Sequence, residues 1–293
     1  MGALKEYLAY HYASSVANDI DPQNDCLAYI CDRYELNIEQ RYWLAFLFGT
    51  CYCAPTVFYI YNEFPDYETV DVNRLERWWR ANKARLIFQT DRARVRSNDE
   101  FVNCFKSYKA IVGDNQAAYF ERLTHQDPKQ TYKEAYNKLS SIHYFGRFTM
   151  FIYLEMVSVL TPTKMTPDDL DLKNAESCRN GLALALGRDD IFSHFEDKKL
   201  NANDYADLER GLSQIQQKIV EMPIKHTNIF SIETTLCAYK KAKLGKRHVG
   251  YYIERMRLEI EAMKKNVPKG VDWSVLYDFR KKNYQPKYLK ELK

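Results

Sequence analysis

Hydrophobic and polar positions recur with helical spacing along most of this 293-residue chain. Phe148–Leu160 is the clearest instance, an apolar run of helical length that carries a single acid, Glu155. From residue 71 an amphipathic segment follows the same period, with one apolar face formed by Leu75, Trp78, Trp79 and Leu86. Apolar residues spaced in this way indicate α-helices that pack on a common core. We therefore predict an all-α protein.

A short connection separates two of the predicted helices, Thr131–Leu139 and Phe148–Leu160. Gly146 lies in this connection and has no Cβ, so it is the residue best able to adopt a positive φ or to let another molecule approach the backbone. A hairpin of this kind turns backbone N–H groups and a helix N-terminus outward, which suits a phosphate. The neighbouring Arg147 adds a positive charge. The alternative is an ordinary turn between helices that binds nothing.

The composition is that of a globular chain, with 46% apolar residues and only 10 glycines. Such a chain can bury a substantial core in one or two lobes. The longest apolar stretch, Tyr42–Tyr61, contains Gly49 and Pro55, which favours a buried or groove-lining helix over a membrane span. Seven scattered cysteines without a C-x-x-C motif favour buried thiols in a reducing cytosol. We predict no metal site.

Basic residues are concentrated in one part of a chain whose net charge is only +4. Against two acids, this part contains Arg74, Arg77, Arg80, Lys83, Arg85, Arg92, Arg94 and Arg96. The last three alternate with other residues, which would place them on one side of an extended segment. We predict that this basic run binds phosphates. A solvated helix face is the alternative.

A second basic cluster follows an acid near the end of the chain. Glu233 lies at the start of a predicted helix, and five basic residues follow within eight positions, namely Lys240, Lys241, Lys243, Lys246 and Arg247. An acidic start and a basic end complement the helix macrodipole, so this arrangement needs no function. The alternative is an anion site with a carboxylate beside it.

Four segments, in the same order, resemble the helix-hairpin-helix DNA glycosylases. The hairpin segment I-H-Y-F-G-R-F-T-M-F-I is similar to that family's hairpin, with Tyr144 where the family has its first glycine. Trp43–Pro65 resembles the helix and turn that carry the DNA wedge, and Gln89–Val112 resembles the helix before the hairpin. Asp171 stands where the family has its catalytic aspartate. The resemblance covers roughly residues 40–187.

This resemblance implies one glycosylase-like helical unit over residues 1–293, with two lobes around a basic groove. The expected lobes are 40–187 and 1–39 plus 188–293. It also implies that duplex DNA binds, that one nucleotide leaves the stack, and that aromatic side chains hold its base. Tyr52 and Tyr239 are the candidates for this base pocket. Where bifunctional glycosylases have a Schiff-base lysine, this chain has Phe148.

Within that set, the whole chain most resembles the bacteriophage amino acid:DNA transferases, also called α-glutamyl/putrescinyl-thymine pyrophosphorylases. The resemblance lies in E-Q-R-Y-W-L-A-F-L-F-G-T-C-Y, Q-T-D-R-A-R-V-R-S-N, H-Y-F-G-R-F, E-S-C-R-N-G-L and I-E-T-T-L-C-A-Y-K-K. It implies a DNA thymine whose 5-methyl group has become a pyrophosphorylated hydroxymethyl. The nitrogen of an amino acid or polyamine then replaces pyrophosphate.

The expected partners are therefore double-stranded DNA and a free amine donor, with no cofactor and no membrane. We expect a monomer in the cytoplasm of an infected bacterial host. The expected catalytic carboxylates are Asp171 and Glu233, although Asp171 could instead cap a helix. Pyrophosphate is expected at Lys240, Lys241, Arg92 and Arg94. DNA is expected at Arg96, Gly146, Arg147, Lys246 and Arg247. A base-excision glycosylase and a non-catalytic DNA-binding partner of a DNA base kinase are the alternatives.

Overall fold

The computed structural model describes residues 2–97, 99–192, 200–267 and 269–289, and in these ranges the chain forms helices and no β-strand. This confirms the all-α prediction. The α-helices are α1 (Ala3–Val16), α2 (Pro22–Arg33), α3 (Ile38–Cys51), α4 (Ala54–Glu63), α5 (Val72–Asn82), α6 (Glu100–Val112), α7 (Gln116–Leu123), α8 (Pro128–Leu139), α9 (Arg147–Leu160), α10 (Glu176–Ala185), α11 (Ala202–Val220), α12 (Ile229–Lys243), α13 (Tyr251–Asn266) and α14 (Ser274–Asn283).

The chain divides into two compact units, each assembled from separate parts of the sequence. The first unit comprises Met1–Pro22, Pro167–Arg255 and Asn283–Lys293. The second comprises Gln23–Thr166 and Met256–Lys282. None of the helices in the described ranges is both long and apolar enough to cross a membrane.

The second unit is centred on α3 and α9. Every residue of α3 from Tyr42 to Cys51 is buried. Gly49 permits a close approach of the two helices, because a Cβ there would lie 2.7 Å from the Cβ of Tyr153 in α9. The apolar stretch Tyr42–Tyr61 forms two buried helices rather than one. The break occurs at Tyr52, whose left-handed φ of +50° ends α3 before α4 begins.

The first unit is centred on α10 and α12. Here Gly181 permits the contact, since a Cβ at this position would lie 2.1 Å from the carbonyl oxygen of Leu236. A buried polar network joins α1 to the other side of α12: Thr235 Oγ1 lies 2.8 Å from His11 Nδ1 and 2.9 Å from the Tyr7 hydroxyl. Packing this tight fixes which face of α12 is presented toward α10.

Candidate functional site

The connection between α8 and α9 forms the predicted turn, but its backbone conformation differs from the expectation. α8 ends at Leu139 and α9 begins at Arg147, with Gly146 at its N-cap. The positive φ falls on Tyr144, at +61°, whereas Gly146 is extended with φ −74°. Of the two alternatives predicted for Gly146, the positive φ is therefore excluded. The chain reverses two residues earlier, next to Phe145, which is buried in the core.

Gly146 does have the second property predicted for it, which is open space around its backbone. The residue is exposed, and a Cβ added to it would meet no atom within 4 Å. It directly precedes the first turn of α9, where unpaired N–H groups and the helix dipole favour an anion. Arg147 is half-buried at the start of this turn. A phosphate could therefore approach the hairpin backbone closely.

Arg92 braces the hairpin from inside the second unit. Its guanidinium donates to the Thr50 carbonyl oxygen at 3.2 Å, to the Tyr144 carbonyl oxygen at 3.3 Å, and to the Thr149 hydroxyl. The side chain is only 7% exposed. Arg92 thus links the end of α3, the hairpin and the first turn of α9. This arrangement does not match the expectation of an open pyrophosphate ligand at Arg92.

The segment Thr90–Arg96 forms a 3₁₀ helix instead of the extended segment expected for it. With three residues per turn, Arg92 and Val95 share one face, and both are buried. Arg94 and Arg96 lie on other faces and are exposed. The expectation that all three arginines lie on one side is therefore wrong. Two of them remain open to a ligand.

The outer side of the hairpin is attached to α6. The backbone N–H of His143 donates to Ser107 Oγ at 2.9 Å, and the Cys104 thiol donates to the His143 carbonyl oxygen at 3.0 Å. His143 Nε2 also lies 2.6 Å from Glu100 Oε2, and this hydrogen bond lowers the pKa of the carboxyl group. The hairpin is therefore held on two sides, which allows it to keep the unfavourable backbone conformation of Tyr144.

Tyr52, a predicted base-pocket residue, lies beside the start of α9. It is half-buried, and its ring meets the ring of Phe148 edge-on with centroids 5.6 Å apart. Phe148 is also half-buried. Tyr52 and the hairpin therefore belong to one region of the second unit, as the proposed role of Tyr52 requires.

In the first unit, one face of α12 carries a stripe of reactive side chains. Glu233, Cys237, Lys240 and Lys241 are spaced by four, three and one positions, so they lie on the same side of the helix. Glu233 is 7% exposed and Lys240 is 8% exposed. The structure therefore brings together three of the residues predicted for the site. The thiol between them was not predicted.

Cys237 differs from the other cysteines because it is only partly buried, whereas the other six are fully buried. Its Sγ lies 3.4 Å from Oε1 of Glu233. Hydrogen bonds with Cys178 and Ser177 and the positive charge of Lys240 lower the pKa of the Cys237 thiol, although burial opposes the change. The spacing of Glu233 and Cys237 in the sequence is the signal that could have revealed this pair.

Lys240 is a buried cation without a direct partner in the described part of the chain. No hydrogen bond or ion pair joins its ammonium group to another described residue. Burial lowers its pKa, whereas the neighbouring Cys237 and Glu176 favour the charged form. A buried ammonium group that lacks a paired carboxylate favours the binding of an anion. The half-buried Lys241 lies next to it.

The other predicted site residues in α12 and in the segment that follows it have different surroundings. Tyr239 is only 2% exposed and packs against Tyr7 and Tyr10, so it lies in the core rather than in an open base pocket. Arg247 is half-buried, donates to the Tyr252 hydroxyl, and lies 4.7 Å from the centroid of that ring. Lys246 is exposed.

Asp171 lies in the turn before α10 and adopts a left-handed conformation with φ +47°. Its two carboxylate oxygens accept hydrogen bonds from Asn174 Nδ2 at 2.9 and 3.1 Å. The N-cap of α10 is Ala175, so the side chain of Asp171 does not occupy the cap position. Asp171 is half-buried, and a strained backbone of this kind often occurs at functional sites.

These arrangements define a helical protein with an enzyme-like centre, in which a carboxylate, a thiol and an unpaired ammonium group lie on one helix face. The family model "Amino acid:DNA transferase" matches residues 16–248. The chain therefore belongs to the amino acid:DNA transferase family, which confirms the resemblance found in its sequence motifs.

One relative illustrates the family. A serinyltransferase of Salmonella phage ViI is 29% identical over 250 residues. The aligned region covers 79% of this chain and 60% of the phage protein. The chain thus spans less than two thirds of the length of this relative.

Proposed function

We propose that the protein transfers an amino acid onto DNA, at the 5-methylene carbon of a pyrophosphorylated 5-hydroxymethyluracil, and releases pyrophosphate. The observation that carries the proposal is the buried and unpaired Lys240 beside Glu233 and Cys237, in a chain of the amino acid:DNA transferase family. The partners are double-stranded DNA with the modified base and a free amine donor. The protein acts as a monomer in the cytoplasm of an infected bacterium.

The leaving group determines what the site must supply. Pyrophosphate departs with several negative charges, and fixed cations at its position stabilise the transition state. Lys240 is suited to this role because its burial strengthens the interaction with an anion and because no described carboxylate neutralises it. Lys241 adds a second, more accessible charge.

The amine donor must be held and must lose a proton. Glu233 is a buried carboxylate on the same helix face as Lys240, and Asp171 is a carboxylate oriented by Asn174. We assign the binding of the ammonium group and the removal of the proton to these two carboxylates. The name of the phage relative makes serine the first donor to test.

DNA binding is assigned to the hairpin and the exposed arginines of the second unit. Gly146 offers open backbone before α9, and Arg147, Arg94 and Arg96 supply positive charge. The assignment also includes the extrusion of the target base from the DNA stack, with Tyr52 beside the extruded base.

The test is mass spectrometry of nucleosides from pyrophosphorylated DNA incubated with the protein and serine, and then with a mixture of amino acids. We expect a nucleoside in which the amine nitrogen is bonded to the 5-methylene carbon, together with an equal amount of pyrophosphate. DNA with unmodified 5-hydroxymethyluracil is the matched control and should remain unchanged. Release of the free base would instead show a glycosylase. Binding without any product would show a non-catalytic DNA-binding protein.

A further inference from the structure

The thiol of Cys237 has no role in the function proposed so far, although its position sets it apart. Six of the seven cysteines are buried, and Cys237 is partly exposed. It lies on α12 between Glu233, one turn earlier, and Lys240, one turn later. A cysteine needed only for packing has no reason to share a helix face with a carboxylate and an ammonium group.

The side chains around this thiol fit a nucleophile. The carboxylate of Glu233, 3.4 Å from the sulfur, can accept its proton. Hydrogen bonds with Cys178 and Ser177 and the charge of Lys240 lower the thiol pKa, which raises the fraction of the reactive thiolate. A nucleophile with a base in hydrogen-bond reach is the arrangement that covalent catalysis uses.

Lys240 gives an independent sign that a ligand binds here. More than nine tenths of this side chain is buried, and its ammonium group has no hydrogen-bond or ion-pair partner among the described residues. The cation and the thiol are three positions apart on one helix and interact electrostatically. The thiol and an anion bound by Lys240 would therefore be neighbours.

We propose that Cys237 is the covalent nucleophile of the transfer, and that its sulfur adds to C6 of the modified pyrimidine. The proposal rests on the proposed function, because it requires a uracil ring with a pyrophosphorylated 5-methylene group. It assigns Glu233 as the base for the thiol and Lys240 as the cation that receives the departing pyrophosphate.

The first half of the reaction forms the bond to the enzyme and expels the leaving group. The thiol proton passes to Glu233, the sulfur bonds to C6, and the electron pair of the C5–C6 double bond moves onto the O4 carbonyl as an enolate. The enolate then collapses to form an exocyclic double bond between C5 and the methylene carbon. The carbon–oxygen bond breaks, and pyrophosphate leaves with its electron pair toward Lys240.

The second half adds the amine and frees the enzyme. The neutral amine nitrogen attacks the exocyclic methylene carbon, and the electron pair returns to the O4 enolate. The C5–C6 double bond then re-forms as the C6–sulfur bond breaks. The thiolate recovers its proton from Glu233, and the new substituted amine gives one proton to Asp171, the other carboxylate assigned to the amine. The net result is exchange of pyrophosphate for the amine, with no oxidation or reduction.

The thiol gives an advantage over direct attack of the amine on the methylene carbon, because covalent addition changes how pyrophosphate leaves. Addition at C6 makes C5 electron-rich, so the ring itself expels pyrophosphate and no free carbocation is formed. The exocyclic double bond then accepts amines of different shape at the same carbon. Nucleophilic catalysis of this kind divides one difficult step into two easier ones.

The direct test is to trap the adduct by omitting the amine. Wild-type protein is incubated with pyrophosphorylated DNA, denatured, digested with nuclease and trypsin, and examined by mass spectrometry. We expect a nucleotide on the peptide that contains Cys237, and we expect added serine to remove it while aminated DNA forms. Cys237→Ala should show no adduct and a loss of kcat on the order of 10³-fold or more. Cys237→Ser should behave similarly, since a hydroxyl adds poorly at neutral pH.

A second measurement does not depend on activity. Iodoacetamide should alkylate Cys237 before the other cysteines at pH 7, and inorganic pyrophosphate should protect it in the wild type but not in Lys240→Gln. Equal alkylation of all seven thiols, or no protection by pyrophosphate, would count against the site. Circular dichroism and DNA binding of Cys237→Ala show whether that variant is folded.

The outcomes separate the two proposals. If Cys237→Ala transfers serine at the wild-type rate, the nucleophile is wrong and the proposed function stands. If wild-type protein transfers serine, no adduct is trapped, and Cys237→Ala keeps the wild-type rate of transfer, then the amine attacks directly. If wild-type protein gives neither transfer nor adduct on pyrophosphorylated DNA, the proposed function itself fails, and the nucleophile with it.

Discussion

Arg92 donates a hydrogen bond to the carbonyl oxygen of Tyr144 at 3.3 Å, so a buried cation holds the one hairpin residue that has an unfavourable backbone conformation. The same guanidinium also donates to Thr50 and Thr149. A planar guanidinium can bridge several acceptors in fixed directions, which a lysine cannot do. The hairpin geometry therefore depends on an arginine 52 positions earlier in the chain.

Arg92→Ala should lower the free energy of unfolding by about 2–4 kcal/mol, because it leaves buried carbonyl oxygens without donors. Urea unfolding followed by circular dichroism measures the change. Arg94→Ala is the matched control, and because Arg94 is exposed the expected change is within about 0.5 kcal/mol. Equal stability of both variants would show that Arg92 is not a structural brace.

Charge reversal at Arg94 and Arg96 together should weaken DNA binding without destabilising the fold, since both side chains are exposed. Each lost phosphate contact should reduce the slope of log K against log salt by about 0.9. Titration of a duplex at several salt concentrations measures this slope. Lys218→Glu, at an exposed position on α11, is the control for a general charge effect. An unchanged slope in the double variant would mean that the two arginines form a solvated face.

Tyr144→Gly should make the protein more stable by about 1 kcal/mol and at the same time weaken DNA binding. Tyr144 is 41% exposed and has φ +61°, a conformation that costs a tyrosine free energy and a glycine none. A strained and exposed aromatic side chain contributes little to packing, so we expect it to contact the ligand. Thermal unfolding and duplex titration are the two measurements.

Tyr144→Phe keeps the strain and the ring, so it should bind DNA like the wild type and gain no stability. If Tyr144→Gly is more stable and binds equally well, the exposed ring has no part in DNA recognition.

Two glycine-to-alanine substitutions should change different properties, one the packing of the first unit and the other DNA binding alone. Gly181→Ala should disrupt the packing of α10 on α12 and abolish transfer, because the new Cβ would overlap the Leu236 carbonyl. Gly146→Ala should leave the thermal midpoint unchanged, since φ is −74° and no atom lies within 4 Å. It should nevertheless weaken DNA binding if a phosphate approaches the hairpin backbone. Full DNA binding by Gly146→Ala would exclude that close approach.

Asp19 should make stability depend on pH. Its carboxylate accepts hydrogen bonds from the N–H groups of Gly250 and Ile253, yet burial raises its pKa to about 6. A raised pKa in the folded state stabilises the fold below the unfolded value of 3.8, and this contribution is lost as the pH rises through about 6.

Urea unfolding of the wild type and of Asp19→Asn from about pH 3.5 to about pH 7.5, a range that contains both pKa values, isolates this contribution. The wild type should lose on the order of 2–3 kcal/mol relative to the variant across this range. If the free energies of unfolding of the two proteins change with pH in parallel, the Asp19 carboxylate has an ordinary pKa in the folded protein.

The sequence by itself determined the helical class and the positions of the main helices, because hydrophobic periodicity is a local property. The predicted helix Phe148–Leu160 forms α9, which begins at Arg147. The motifs also determined the family, which the match over residues 16–248 confirmed. Glu233, Lys240 and Lys241 could be selected from their spacing, since side chains on one helix keep their relation in any fold.

Only the tertiary structure decided which of several similar residues are open to a ligand. Arg92, Arg94 and Arg96 look alike in the sequence, and Arg92 alone is buried because Thr50 and Thr149, distant in the chain, accept its hydrogen bonds. The hairpin places its positive φ at Tyr144 because the burial of Phe145 fixes where the chain reverses.

Contacts between residues distant in the chain also distinguish Cys237 from the other cysteines. Residue type alone favours burial for all seven thiols, and six of them are buried. The close packing of α12 on α10 at Gly181 brings Cys178 and Ser177 to the Cys237 thiol, and residue 237 is less completely buried than the other six cysteines. Such contacts join residues far apart in the chain, and no local pattern in the sequence encodes them.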